Sequence, residues 1–339
     1  NYNGKTLIIS IDKEEGFDSW NWRKKLKLAK DKGAERVFFT SSNFESNIER
    51  LSHFLEGSSM KLKTKEKKNL ENIPFFFISN KLEKEILKEN VDNNKIEFAI
   101  ISQNEEITST NVLGFIEGTD PELKKEIIVI TAHYDHLGIK DGLVYNGADD
   151  DGTGTVALLE IAEAFQKAKN EGNGVKRSIL IMPVSGEEKG LLGSSYYSDN
   201  PIYPTANTVV DLNIDMIGRL DENHKKPDYV YLIGADKISK ELHDISEATN
   251  ETYIGLNLDY TFNDENDPNR FYYRSDHYNF AKKGIPVIFY FSGVHEDYHK
   301  ATDEIDKIMF DKVETITRLV FHTAWEIANK KERLKIDEK

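Results

Sequence analysis

The chain is 339 residues long and 38% hydrophobic, with 45 Lys and Arg against 59 Asp and Glu, a net charge of −14. That length suits one large α/β domain with a smaller companion; no apolar run approaches the roughly 18 residues needed to span a bilayer, and the negative balance argues against a nucleic-acid partner, whose phosphates need clustered cations. Cysteine is absent, which removes disulfides, thiolate nucleophiles and cysteine metal sites together and leaves the chemistry to His, Asp, Glu, Ser and Lys.

The chain starts at Asn1 rather than Met, and a targeting signal is read as either removed or never present. Lys5 to Ser10 and Arg36 to Thr40 read as buried strands around a lysine-rich amphipathic helix, about Trp20 to Lys32, ended by Gly33. Ile73 to Ser79 is a further apolar strand, followed by helical spacing from Lys81 to Glu89. Between them Lys61 to Lys68 carries six charges in eight residues and reads as a solvated loop. Composition shifts near Thr108, so a domain boundary is expected there, dividing residues 1–108 from 109–339.

Beyond it, strands at Glu126 to Ala132, Ser178 to Val184, Thr208 to Met216, Tyr229 to Ile233 and Pro286 to Phe291 alternate with helices at Gly154 to Lys169, Ser239 to Thr249 and Asp311 to Lys330. These strands are apolar nearly throughout, as expected when helices cover both faces of a mostly parallel sheet. The fold class is therefore α/β, and such sheets hold ligands beyond the carboxyl ends of their strands.

At those ends stand His133-Tyr134-Asp135, the glycine-rich turn Asn146 to Gly154 with Asp149-Asp150-Asp151, then Glu187-Glu188, Asp215, and Asp297-Tyr298-His299. Each has an ordinary structural explanation: a His-x-Asp pair, an Asp/Gly turn, a charged loop. Asp215 is the exception, an acid among apolar residues, and a buried carboxylate is costly unless paired or bound to metal. Two histidines with three carboxylates suit zinc, with manganese or cobalt second, and disfavour all-oxygen calcium or magnesium sites. Asp150, Glu188 and Asp215 supply three negative charges, and a bridging hydroxide would be the fourth, balancing two divalent ions. If Asp150 bridges, each ion receives three protein ligands and keeps an open position.

At these residues the chain resembles the M28 family of zinc peptidases, of the aminopeptidase Y and Streptomyces aminopeptidase type. The likeness runs from Asn111 to about Lys307 through His133-Tyr134-Asp135, Gly147 to Gly154, Gly186 to Ser194, Asp215 to Gly218, Ser275-Asp276-His277 and Tyr298-His299. It implies a zinc-exopeptidase fold in which His133 and Asp215 hold one zinc, Glu188 and His299 the other, and Asp150 bridges them. It further implies that Glu187 is the general base acting on a metal-bridging water, that Asp135 orients His133, and that Tyr298 donates to the tetrahedral oxyanion. The first third resembles a protease-associated (PA) insert truncated at its start, judged by Gly4-Lys5, Lys30 to Ala34 and Ile73-Pro74.

The expected activity is removal of N-terminal residues from a peptide or aminoacyl substrate, whose cationic α-amine an acidic site would recognise. Alternatives are a single-zinc glutaminyl-cyclase-like acyltransferase, a non-catalytic receptor domain, and a carboxypeptidase or small-amide hydrolase. The resemblance also implies export to the periplasm, cell surface or medium. Ser275-Asp276-His277 reads as pocket wall or ligand support, because three consecutive residues cannot converge as a triad. His136 and His295 are read as loop or rim residues before extra ligands, and His53, His224, His243 and His322 as structural.

Overall fold

A computed structural model describes residues 2–12, 21–44, 59–63, 73–88 and 104–337, and the chain forms two compact units, Asn1–Glu106 and Ile107–Lys339. In the first, β1 (Thr6–Ser10), β2 (Arg36–Thr40) and β3 (Phe75–Phe77) make a parallel three-stranded sheet. Helix α1 (Asn21–Asp31) buries Leu26 and Ala29 against Val37 and Phe39 of β2, and stops before Gly33, whose φ of +86° suits a residue without Cβ. Helix α2 (Asn80–Ile86) is capped by Ser79, whose Oγ accepts from the Leu82 amide. The strand read over Ile73 to Ser79 is thus shorter in the structure. Glu89, His53 and the charged stretch from Thr64 onward lie outside the described residues.

The second unit contains, in chain order, β4 (Gly114–Ile116), β5 (Ile127–His133), the hairpin β6 (Gly138–Lys140) and β7 (Leu143–Tyr145), α3 (Gly154–Asn170), β8 (Ser178–Val184), α4 (Leu192–Asp199), β9 (Thr208–Ile214) and β10 (Tyr229–Ile233). There follow α5 (Lys240–Tyr253), β11 (Asn257–Asp259), α6 (His277–Ala281), β12 (Val287–Phe291) and α7 (Phe310–Asn329). Seven strands form one sheet in the order β11-β10-β12-β9-β5-β8-β4. Its pairs are parallel except β10 with β12 and β4 with β8, so the sheet is mixed and mostly parallel, as the sequence implies.

Every residue of β5, β8 and β9 is buried except Pro183, which is half-buried. Alternation divides β5 between the two faces: Ile128, Ile130 and Ala132 join the core beneath α3 and α7, while Ile127 and Val129 join the one containing Tyr197 of α4 and Phe280 of α6. Helix α3 presents Ala157, Leu158, Ile161 and Phe165 at helical spacing, and α7 presents Ile316, Leu319, Val320, Ala324 and Ile327. Each fully buried large apolar side chain contributes about 1.5–3 kcal/mol, enough to fix which way the strands face. Because β5, β8, β9 and β12 run parallel, their carboxyl ends open onto one edge.

Two sequence boundaries shift by a residue or two, and both matter. His133 is the last residue of β5 rather than the first of a loop, and β9 ends at Ile214, so Asp215 stands just beyond the strand instead of inside it. Far from that edge, Arg177 is fully buried at the start of β8. Its Nε donates to Glu126 at 2.7 Å and its Nη1 to the Ile327 carbonyl at 2.9 Å, tying the end of α7 to the sheet. Arg177→Ala strands these acceptors and is expected to lower stability by about 3 kcal/mol, read from the urea midpoint; a loss under about 1 kcal/mol would show that the tie is dispensable.

Candidate active site

The wide turn Ala148–Thr153 follows the β6–β7 hairpin and leads into α3, and it sends its three carboxylates in different directions. Asp149 Oδ1 accepts from the Gly218 amide at 2.6 Å and from Thr153 Oγ1 at 3.0 Å. Asp151 accepts from the amides of His133, Gly154 and Met216 at 3.1, 2.9 and 3.2 Å, pinning the ends of β5 and β9 to the start of α3. The turn itself is held by Asp303, whose carboxylate accepts from the Asp149 and Asp150 amides. Only the middle acid faces histidines with both oxygens: Asp150 Oδ1 lies 3.2 Å from His133 Nε2, and Oδ2 lies 3.2 Å from His299 Nε2.

Around this carboxylate the other strand-end residues gather. His133 donates from Nδ1 to the Asp135 carbonyl at 3.0 Å, an acceptor that fixes the proton on that nitrogen. Its Nε2 faces Asp215 Oδ1 at 3.7 Å and Glu187 Oε2 at 4.0 Å as well as Asp150. Asp135 thus reaches His133 through its main chain; its carboxylate lies 3.9 Å from the ring and accepts from the Glu187 amide at 3.2 Å. Asp215 Oδ2 accepts from Ser275 Oγ at 2.7 Å, and Ser275 accepts from Asn213 Nδ2 at 2.8 Å. After β8, Gly186 at φ +75° turns the chain so that the two glutamates diverge. Glu188 approaches His136 Nδ1 at 2.8 Å and His299 Nε2 at 3.2 Å, while Glu187 turns toward His133.

His133 Nε2, both nitrogens of His136, Asp150 Oδ2 and Glu188 Oε1 are buried without a hydrogen-bond partner. Orphaned polar atoms on converging side chains are the arrangement a bound cation satisfies, and a mixed nitrogen and carboxylate set fits zinc. Among the described residues, two groups have ligand atoms within 4.8 Å of one another: His133 with Asp151 and Asp215, and His136 with Asp150 and Glu188. Asp151 already receives three amides, so Asp150 is the freer carboxylate beside His133.

Residues 111–324 match peptidase family M28. The chain belongs to that family. It is 27% identical over 238 residues to aminopeptidase Y of Saccharomyces cerevisiae, a match covering 67% of this chain and 40% of that protein. It is 26% identical to aminopeptidase YwaD of Bacillus subtilis, covering 67% of this chain and 47% of the relative, so it spans less than half the length of either. Among solved structures, an aminopeptidase from Aneurinibacillus sp. strain AM-1 has a TM-score of 0.57 at 20% identity, covering 100% of this chain and 72% of that one, a likeness of fold.

The electrostatics of the M28 site follow from its crowding. Burial pushes Glu187 well above the usual carboxylate range, with the Asp276, Asp215 and Glu188 charges acting in the same direction. Burial opposes protonation of His299, yet Asp150 and Glu188 raise it to about 9. His133 likewise stands well above its ordinary value against the effect of burial, through Asp215 and Asp150. Burial would raise Glu188, but its contacts with His136 and His299 bring it below the usual range.

Beside the carboxylates opens a cleft walled by Met216, Phe271, Phe289, Phe291 and Val294, with Arg274, Tyr298 and His299 at its polar side. The Tyr298 ring stacks on His299 at 3.9 Å, and Arg274 Nη2 donates to its hydroxyl at 3.3 Å. Neither Arg274 nor the apolar wall is legible from motif spacing; the one signal is that Arg274 immediately precedes Ser275-Asp276-His277. That tripeptide splays, as its adjacency requires. Ser275 serves Asp215, Asp276 accepts from Ser194 Oγ at 2.5 Å, and His277 stacks on Phe289 at 4.8 Å, where burial lowers it to about 3.

The remaining histidines divide. His136 stands in the loop after β5, with its side chain turned in against Glu188 rather than out to a rim. His295 Nε2 sits 3.3 Å from Asp149 Oδ2, supporting the turn, His224 Nδ1 meets Asp221 at 2.8 Å, and His243 and His322 pack on Tyr260 and Tyr253. Ser275→Ala removes a donor from Asp215 and is expected to weaken zinc binding by about tenfold, measured by competition with a chromophoric chelator. Unchanged affinity would mean that Asp215 needs no such support.

Proposed function

We propose that the chain is a two-zinc aminopeptidase, with His133 and Asp215 holding one ion, Glu188 and His299 the other, and Asp150 shared. What carries the reading is Asp150, whose two oxygens each lie 3.2 Å from a different histidine, with Glu188 and Asp215 on either side. Zinc bound there supplies Lewis acidity, lowering the pKa of water and polarising a carbonyl. Glu187 takes the proton from the attacking water and returns it to the leaving amine, a task suited by its raised proton affinity.

Tyr298 is the oxyanion donor. Burial pushes its phenol above the usual range, with the Asp150 charge adding to the effect, so it keeps the proton it donates. Arg274 occupies the phenol oxygen and leaves that O–H to the substrate. The carboxylates favour a cationic free α-amine, and the apolar wall of the cleft suits an apolar first side chain. The first unit is read as a PA-like accessory domain on the pattern of its apolar strands and their glycine-bearing entries.

Glu187→Gln is expected to retain zinc and lose about 10² or more in kcat, with metal content checked on the same sample; near-normal turnover at full occupancy would remove Glu187 from its role. Leucyl- and phenylalanyl-anilides should be cleaved and their N-acetylated forms resisted. Cleavage of the blocked set alone would overturn the aminopeptidase assignment.

A further inference from the structure

We propose that His136 is a fourth protein ligand of the Glu188 and His299 metal position, making it the tighter of the two. This rests on the two-zinc reading above. Four side-chain donors from separate segments converge there. His136 Nδ1 lies 2.8 Å from Glu188 Oε1 and 3.9 Å from Asp150 Oδ2, and His299 Nε2 lies 3.2 Å from both Glu188 Oε2 and Asp150 Oδ2.

The His136 ring is held for this place. Its side chain is only 7% exposed, and it packs against Gly147, where at φ +64° an added Cβ would fall 2.5 Å from the ring Cγ and 2.8 Å from Cδ2. The same Cβ would fall 2.3 Å from the Asp150 carbonyl, so Gly147 lets the turn and the ring pack together. The His136 Nε2 is buried without a hydrogen-bond partner, and its Nδ1 meets only the Glu188 carboxylate, so no neutral acceptor or donor accounts for the ring's burial.

The two positions are then unequal. The His133 side has three protein ligands, His133, Asp150 and Asp215, and so keeps a coordination position for exchange. The His136 side has four, the count of a site built to retain its ion. The competing explanation is a simple His136–Glu188 ion pair. Such a pair would have to break before metal entered, so removing His136 would leave that position unchanged or bind metal more tightly.

The test is titration of the metal-free full chain with Co²⁺, followed by calorimetry and by the visible absorption of the bound ion. The wild type should take up two ions in two resolved steps. His136→Ala, and His136→Phe as a variant that keeps a ring of similar shape against Gly147, should each weaken the tighter step at least about tenfold, shift its absorption band and leave the weaker step in place. Asp215→Asn should weaken the other step. Thermal melts of the metal-free variants confirm that they are folded. Two steps of wild-type or greater affinity in both His136 variants would overturn the inference and leave the two-zinc reading standing. Uptake of a single ion by the wild type would overturn the two-zinc reading and this inference with it, and two ions taken up in one unresolved step would overturn this inference alone.

Discussion

Mutual repulsion among buried carboxylates is the constraint on which the second unit is organised. Two unit charges 4 Å apart oppose each other by about 4 kcal/mol at the effective dielectric of a protein surface, and here Asp149, Asp150, Asp151, Glu187, Glu188 and Asp215 share one sheet edge. Backbone amides answer part of that repulsion. Asp151 takes three, and Asp149 takes the Gly218 amide with the Thr153 hydroxyl, so both are absorbed into the architecture. Asp150 is left facing His133 and His299.

The same bonds explain why the site is rigid. Asp151 ties the end of β5, the residues beyond β9 and the start of α3 at one carboxylate. Ser275 and Asn213 hold Asp215 from behind, and the Asp135 carbonyl holds the His133 ring by its Nδ1. Side chains fixed by strand ends and buried hydrogen bonds reorganise little when charge develops nearby.

How much of this is legible without the fold depends on the length and burial of each segment. β5, β8, β9, β10 and β12 are apolar runs of five to seven residues buried on both faces, and they read directly from sequence. β4 and β11 are three-residue edge strands with exposed positions, too short to carry a pattern. Helix α4, Leu-Gly-Ser-Ser-Tyr-Tyr-Ser-Asp, has little intrinsic helix preference. Tertiary contacts fix its start: Asn279 of α6 donates to Ser194 Oγ at 2.7 Å and to the Leu191 carbonyl at 3.1 Å.

The sequence by itself determined the α/β class, the strand ends at which the chemistry sits, and, through motifs shared with a family, which residue types gather there. These are local properties: burial sets the apolar runs, and glycines and acids mark the turns. Tertiary structure decided how the three adjacent aspartates divide their work, that His136 lies on Glu188, and that Arg274 meets Tyr298. Those pairings join segments far apart in the chain, brought together only when parallel strands align their carboxyl ends, so sequence spacing carries no record of them.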